Sequence, residues 1–442
     1  MTLSVAQRAR RFPDRTAVVD VSEERLYAPA ETVHEDRVTY AELSELADDV
    51  AARLAALTVD AGDTVALVTR NRVASLALFF ACRRLGATFA PISHRLTPVT
   101  VERPFDAISP EIVVFEAAQR DLVRSIPHDR SITLEKLATV ALDARIGAER
   151  TAGLTELDDD VGSDSTAGDD DRPLLVLHGE GGRPAAAFSE RSLERTCASA
   201  LVTWGLSADD VAPVVTPLSA ADGFVRVALP LLYVGGRLLL DRAFDPGDTL
   251  AAIETEGATF LAGRTITFRE LATESGFDDA VGSLERAVPD HSVPATFLEP
   301  YRERDVTVTR AYGRLECPTA LCETDDAVGS GSDGVADCDD AVGSTGTAVG
   351  VPVPDCRVRL VDEDGTALAG SGTGRLQLSG PVVADGYVNA AASTDADGSD
   401  EWDAVDRTTE REAGDSAGEF VDGWFDAGDR VRRDDRGVYV LE

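Results

Sequence analysis

The chain has 442 residues, 79 acidic and 42 basic, for a formal net charge of -37. With 43% hydrophobic residues it can build a sizeable core and, at about 150 residues per domain, two or three domains. So acidic a surface repels phosphate backbones and excludes nucleic acid as a partner.

The acids are spread along the whole chain rather than gathered in a tail, and Lys136 is the only lysine. Dense salt would screen the self-repulsion of such a surface, which points to a high-salt-adapted, cytoplasmic protein. The N-terminal VAQRARRFPDR carries charge without an apolar core, so no signal peptide is expected. The apolar runs near 76–91 and 224–240 are broken by Arg83, Arg84, Pro230, Gly235 and Arg237, so no membrane span is expected either. Of the six cysteines only Cys317 and Cys322 lie close together. That is a weak zinc signal, and reduced structural thiols are the favoured reading.

In chain order, Thr39 and Glu42 form a capping box before a helix carrying Leu43, Leu46, Val50, Leu54 and Leu57 at helical spacing. A strand over 64–69, a helix over 73–85 stopped by Gly86, and strands over 87–91 and 111–116 follow. The acidic stretch 157–172 has no periodicity and reads as a linker. A strand over 174–177 then runs into Gly179-Glu180-Gly181-Gly182, with a helix expected from Ser189. Strand, glycine turn and helix together offer backbone N–H groups to an anion. Strands over 211–216 and 237–240 follow. Asp245 and Pro246 open a helix as N-cap and first residue, and Gly257 closes it. Strands over 258–261 and 305–309 continue the series.

The hexapeptide DDAVGS occurs at 278–283, 325–330 and 339–344; it is too short and too unevenly spaced for a solenoid repeat. Beyond Gly350 the pattern changes to a hairpin, strands over 356–361 and 374–378 about an Asp364-Gly365 turn, and ends in a strand over 438–441. The fold class expected is α/β: a large multi-layer α/β body with a smaller β-rich subdomain. The boundaries are 1–156 and 173–350 for two α/β subdomains, the second with an acidic insert at 323–345. The β-rich part is 351–442, with a polar insert at 393–419.

Several stretches, in order, resemble the N-terminal domain of the AMP-forming adenylating enzymes, which include acyl-CoA synthetases. They are RFPDRTAVVD, VTYAELSELADDVAARL, GDTVALVTRN, ACRRLGATFAPISHRLTP, HGEGGRPAAAFSERSL, PLLYVGGRLLL, YGRLE, GVPVPDCRVRLVDEDG, GPVVADGYVNAAAST and GWFDAGD. The resemblance implies ATP and Mg²⁺ used to activate a carboxylic acid as an acyl-adenylate, and coenzyme A to displace AMP. Carried over by position, Gly179, Gly181 and Gly182 belong to the phosphate loop, and Tyr312 and Gly313 to the adenine site. Glu316 would help hold Mg²⁺, and Asp429 would accept from both ribose hydroxyls. Other positions depart from the pattern. Leu177, His178, Glu180 and Gly181 stand where the family has Thr or Ser, Ala185 where it has the loop lysine, Leu315 where it has threonine, and Ala220 where it has an acyl-pocket histidine. No catalytic residue is carried over. The family's C-terminal lid is expected to lie outside this chain, with a separate lid protein as the partner this implies. His178 alone in its turn reads as structural, and His94 has no assigned role. Two functional readings stay open: a divergent acid–thiol ligase impaired as a stand-alone chain, and a non-catalytic module holding a nucleotide or acyl-CoA.

Overall fold

The structure, a computed structural model, describes residues 2–22, 37–140, 172–323, 347–388, 405–406 and 418–442. The acidic linker apart from Arg172, the last two DDAVGS copies, Cys338 and nearly all of the 393–419 insert lie outside the described residues.

Helices begin and end at their local signals. The Thr39 hydroxyl accepts from the Glu42 N–H, and the Glu42 carboxylate accepts from the Thr39 N–H, closing the capping box of the Tyr40–Ala56 helix. The Val73–Leu85 helix stops at Gly86, whose φ of 68° suits a residue without a Cβ. Asp245 caps the Pro246–Glu256 helix by accepting from the Asp248 N–H, and Gly257 ends it.

The strands form four sheets. One mixed eight-stranded sheet runs Val405–Asp406, Gly386–Val388, Ala185–Ser189, Pro173–His178, Thr88–Ser93, Thr64–Thr69, Ile112–Phe115, Ser131–Thr133. Its last five strands are parallel, as strands alternating with helices require. A four-stranded sheet orders Arg37–Thr39, Thr16–Asp20, Arg237–Leu240 and Val211–Val214. Three parallel strands, Phe260–Gly263, Arg286–Pro289 and Thr307–Val308, make a third. The fourth is antiparallel and contains Ala311–Arg314, Cys317–Cys322, Thr347–Pro352, Tyr439–Leu441, Trp424–Arg433, Gly372–Ser379 and Arg357–Val361, with Glu419–Val421 beside Trp424–Arg433.

Strand pairs join the stretches 1–156, 173–350 and 351–442. Phe89 pairs with Leu175, Val18 with Leu238, and Tyr387 with Ala186, while the antiparallel sheet already begins at Ala311. Composition marks solvated loops, whereas buried strands take whichever neighbour covers their apolar faces. One core runs through the two α/β sheets and the antiparallel sheet. Phe79 stands at its centre, edge-on to Phe89 at 6.1 Å and Phe224 at 5.1 Å. Burying each such ring contributes about 1.5–3 kcal/mol.

The stretch after the glycine turn differs from expectation. Helix Glu190–Trp204 starts beyond Ser189, but Ala185–Ser189 forms a buried strand antiparallel to Pro173–His178. The turn is therefore a hairpin tip, with five strand residues between it and the helix N-terminus.

Candidate functional site

The glycine turn is packed tightly. The Gly179 N–H donates to the Pro184 carbonyl and the Gly182 N–H to the Gly179 carbonyl, both at 2.9 Å, so two of its backbone donors serve the turn itself. At Gly179 a Cβ would meet the Arg183 carbonyl at 2.5 Å; at Gly182, where φ is 90°, it would meet the Thr100 carbonyl at 2.6 Å. Gly181 is freer, and its carbonyl accepts from Arg103 Nη1 at 3.1 Å. The His178 ring is held on both sides: Nε2 accepts from the Ser93 N–H at 3.0 Å, so Nδ1 carries the proton and donates to the Gly179 carbonyl at 2.7 Å. Burial lowers its pKa, and the neutral ring serves as a structural pin.

Glu180 at the tip is exposed and pairs with Arg264, whose Nε also donates to Asp222 Oδ2 at 2.6 Å. Burial works against the Arg264 charge, but Asp222 and Glu180 outweigh it and raise its pKa. Asp222 Oδ1 in turn faces Arg226 Nη1 at 3.2 Å, and Arg226 Nε donates to the Pro318 carbonyl at 3.0 Å. A relay of alternating charge thus runs from the glycine turn to the Ala311–Arg314/Cys317–Cys322 hairpin.

On that hairpin Tyr312 is buried, and its hydroxyl donates to Asp429 Oδ2. Arg314, two residues on, grips the same carboxylate with both prongs. Nε reaches Oδ2 at 2.9 Å and Nη2 reaches Oδ1 at 2.5 Å. Burial first, and then the Asp429 charge, push the Tyr312 pKa well up, which keeps the phenol a donor. Gly313 lies between them because nothing else fits: a Cβ there would stand 1.9 Å from the Pro318 carbonyl oxygen. Glu316 is buried and accepts from the Tyr387 hydroxyl, while its backbone carbonyl accepts from the Ala384 N–H at 2.7 Å. Burial raises its pKa, against the opposing pull of the Tyr387 hydrogen bond.

The profile of the AMP-binding enzyme family matches residues 5–388. The chain belongs to that family. Its curated homologues are acid–CoA ligases. It is 28% identical over 406 residues to a feruloyl-CoA synthase of Amycolatopsis, covering 91% of this chain and 72% of that protein. It is also 28% identical over 422 residues to an indoleacetate–CoA ligase of Aromatoleum aromaticum, covering 92% and 73%. Among solved structures, the N-terminal domain of FACL13 from Mycobacterium tuberculosis superposes with a TM-score of 0.74 at 20% identity, each chain covered completely. The AMP complex of Bacillus subtilis o-succinylbenzoate CoA synthetase gives 0.74 at 17%, covering all of this chain and 78% of that one. At those identities the structures establish the fold, the N-terminal α/β architecture of adenylate-forming enzymes.

As arranged, this AMP-binding family site does not fit a magnesium-bound triphosphate. A carboxylate about 4 Å from a phosphate would cost roughly 4 kcal/mol at an effective dielectric near 20; Glu180 is such a carboxylate at the loop tip, paired with Arg264. Glu316 spends an oxygen on Tyr387 inside the core, and Asp429 spends both on Arg314. Among the described residues no group of three or more His, Cys, Asp or Glu side chains is placed to hold a metal ion. Cys317 and Cys322 stand on one strand, both buried, and belong to no such group. No described helix is long and apolar enough to cross a membrane.

Of the residues singled out in the sequence, Tyr312, Gly313 and Asp429 come together and Glu316 sits at the end of the same hairpin turn; Gly179, Gly181 and Gly182 lie in a separate turn, linked to the Pro318 carbonyl only through Glu180, Arg264, Asp222 and Arg226. Arg264 and Arg314 were not foreseen. Arg264 gave no local signal. Arg314 gave one: it lies two residues from Tyr312 and meets the same carboxylate.

Proposed function

We propose that this chain is a divergent AMP-forming acid–CoA ligase, directed at a carboxylic acid, whose chemistry is impaired when it acts alone. The family match and the acid–CoA ligase homologues support the reaction class. Solved relatives at the level of fold bind AMP, and ATP with magnesium ion, which supports a nucleotide as co-substrate here, and the acid–CoA ligase homologues support coenzyme A. The observation that carries the impairment is the pairing of the site's own charges, Glu180 with Arg264 and Asp429 with Arg314.

The test is exchange of labelled pyrophosphate into ATP by purified protein in molar salt, over a panel of carboxylic acids. We expect exchange about 10³-fold or more slower than that of the feruloyl-CoA synthase relative with its own acid, since one preorganised donor is worth about 3–4 kcal/mol in a transition state. Exchange at the relative's rate overturns the impairment.

A second reading is favoured by what is kept and what is lost: Tyr312 and Asp429 remain while the loop has no hydroxyl or lysine at the matching positions. Under it the chain holds AMP, an acyl-adenylate or acyl-CoA without turning it over. Calorimetry separates the two, since this reading requires AMP or coenzyme A to bind more tightly than ATP. The acidic composition supports adaptation to concentrated salt in a cytoplasm, which a rise of melting temperature with molar potassium chloride would test.

A further inference from the structure

The Asp429 carboxylate has about four lone-pair directions, and three are filled by donors of the chain itself: the Tyr312 hydroxyl and both prongs of Arg314. We propose that Arg314 is a specificity-determining residue of this site: its guanidinium takes the two oxygens that a ribose diol would need, so a nucleotide's hydroxyls are read only when Arg314 has been displaced. This rests on the reading of the site as an adenylate-family pocket.

The geometry makes the occupation specific rather than incidental. A guanidinium presents two parallel N–H donors in a fixed plane, and a vicinal diol presents two O–H donors at similar spacing, so both compete for the same pair of carboxylate oxygens. Neither partner of the pair is free to drift. Arg314 issues from a hairpin fixed by the close approach of Gly313 to Pro318. Asp429 follows Gly428, whose φ is 75° and whose N–H donates to Asp426 Oδ1 at 3.0 Å. The pair is nonetheless reachable, with the Arg314 side chain 36% exposed and that of Asp429 22% exposed. A released guanidinium can therefore be solvated, and the exchange needs a side-chain rotation and no refolding.

Two consequences follow for the intact chain. Nucleotides bind weakly, and they bind without regard to their 2′ and 3′ hydroxyls. Calorimetry in molar salt with AMP and 2′,3′-dideoxy-AMP reads both, on the full chain and on Arg314→Leu and Arg314→Lys. The unsubstituted protein should bind the two nucleotides within about twofold of each other. Arg314→Leu should bind AMP about 10-fold more tightly, the scale of one charge-assisted hydrogen bond, with dideoxy-AMP unchanged. Lysine, which has no fork, should fall between. A melting curve checks that the leucine variant folds; if it does not, the lysine variant carries the comparison. The proposal is overturned if the unsubstituted protein already prefers AMP 10-fold, or if neither substitution tightens AMP. Absence of binding to every variant overturns both this and the nucleotide-site reading. AMP gained by Arg314→Leu without any pyrophosphate exchange leaves this inference standing and removes ligase activity.

Discussion

The glycine turn and the Tyr312 hairpin hold their charged side chains in opposite ways. At the turn the side chains themselves have changed: hydroxyls and lysine are replaced by Glu180, Gly181 and Ala185, and the new acid is tied to Arg264 in an exposed pair. At the hairpin Leu315 stands in place of a threonine, but Tyr312, Glu316 and the facing Asp429 are present, with their bonding capacity pointing inward, Asp429 to Arg314 and Glu316 to Tyr387. A site can thus lose a ligand by losing donors or by keeping acceptors occupied. The second route is reversible by a single substitution and the first is not.

The sharpest contrast lies in the glycines. Gly313→Ala drives a methyl into a backbone carbonyl and should cost about 3 kcal/mol or more, seen as a large fall in melting temperature in molar salt. Gly181→Ala meets only the end of Arg103 at 3.4 Å and should stay within about 0.5 kcal/mol. Equal losses would erase the distinction between a rigid hairpin and a tolerant turn.

Next in size is Tyr387→Phe, which leaves the buried Glu316 short of a donor and should cost about 1–3 kcal/mol. The sign of the pH dependence follows from the raised carboxyl. Folded Glu316 holds its proton to higher pH than the unfolded chain does, so its contribution is full below about pH 4.3 and is lost as pH rises through the folded value. Removing the Tyr387 donor, which favours the charged form, should move that loss to higher pH, readable in unfolding curves between pH 4 and 8.

Glu180→Gln should change stability by less than about 1 kcal/mol, vanishing in high salt, because its ion pair is exposed. Its effect on binding should be larger than its effect on stability. With the repelling charge gone and Arg264 less engaged, ATP affinity should rise by up to about 10-fold in calorimetry. No change would mean that the acid at the turn is irrelevant to phosphate.

What could be read in the sequence was what is decided locally. Thr39 with Glu42, Gly86, Asp245 with Pro246, and Gly257 set helix ends from within one turn of chain, and the helices lie between them. Ala185–Ser189 was missed because three alanines carry no β signal; it is a strand because small side chains fit between two neighbours that sequence order does not place there. Motif order singled out Tyr312, Glu316 and Asp429, and Tyr312 and Asp429 do meet in the structure. The ion pairs were not legible, since Arg264 meets Glu180 across 84 residues and Arg314 meets Asp429 across 115.

The placement of Ala185–Ser189 also has a price in time. Its second neighbour, Gly386–Val388, is made about 200 residues later, with Asp385 then accepting from the Ser189 N–H. At roughly 5–20 residues per second, the ribosome takes some tens of seconds to deliver it. Through that interval the uncharged AAAFS segment is an open sheet edge on the nascent chain, able to pair with a strand of another molecule. The pairing that covers this edge therefore joins segments made far apart in synthesis.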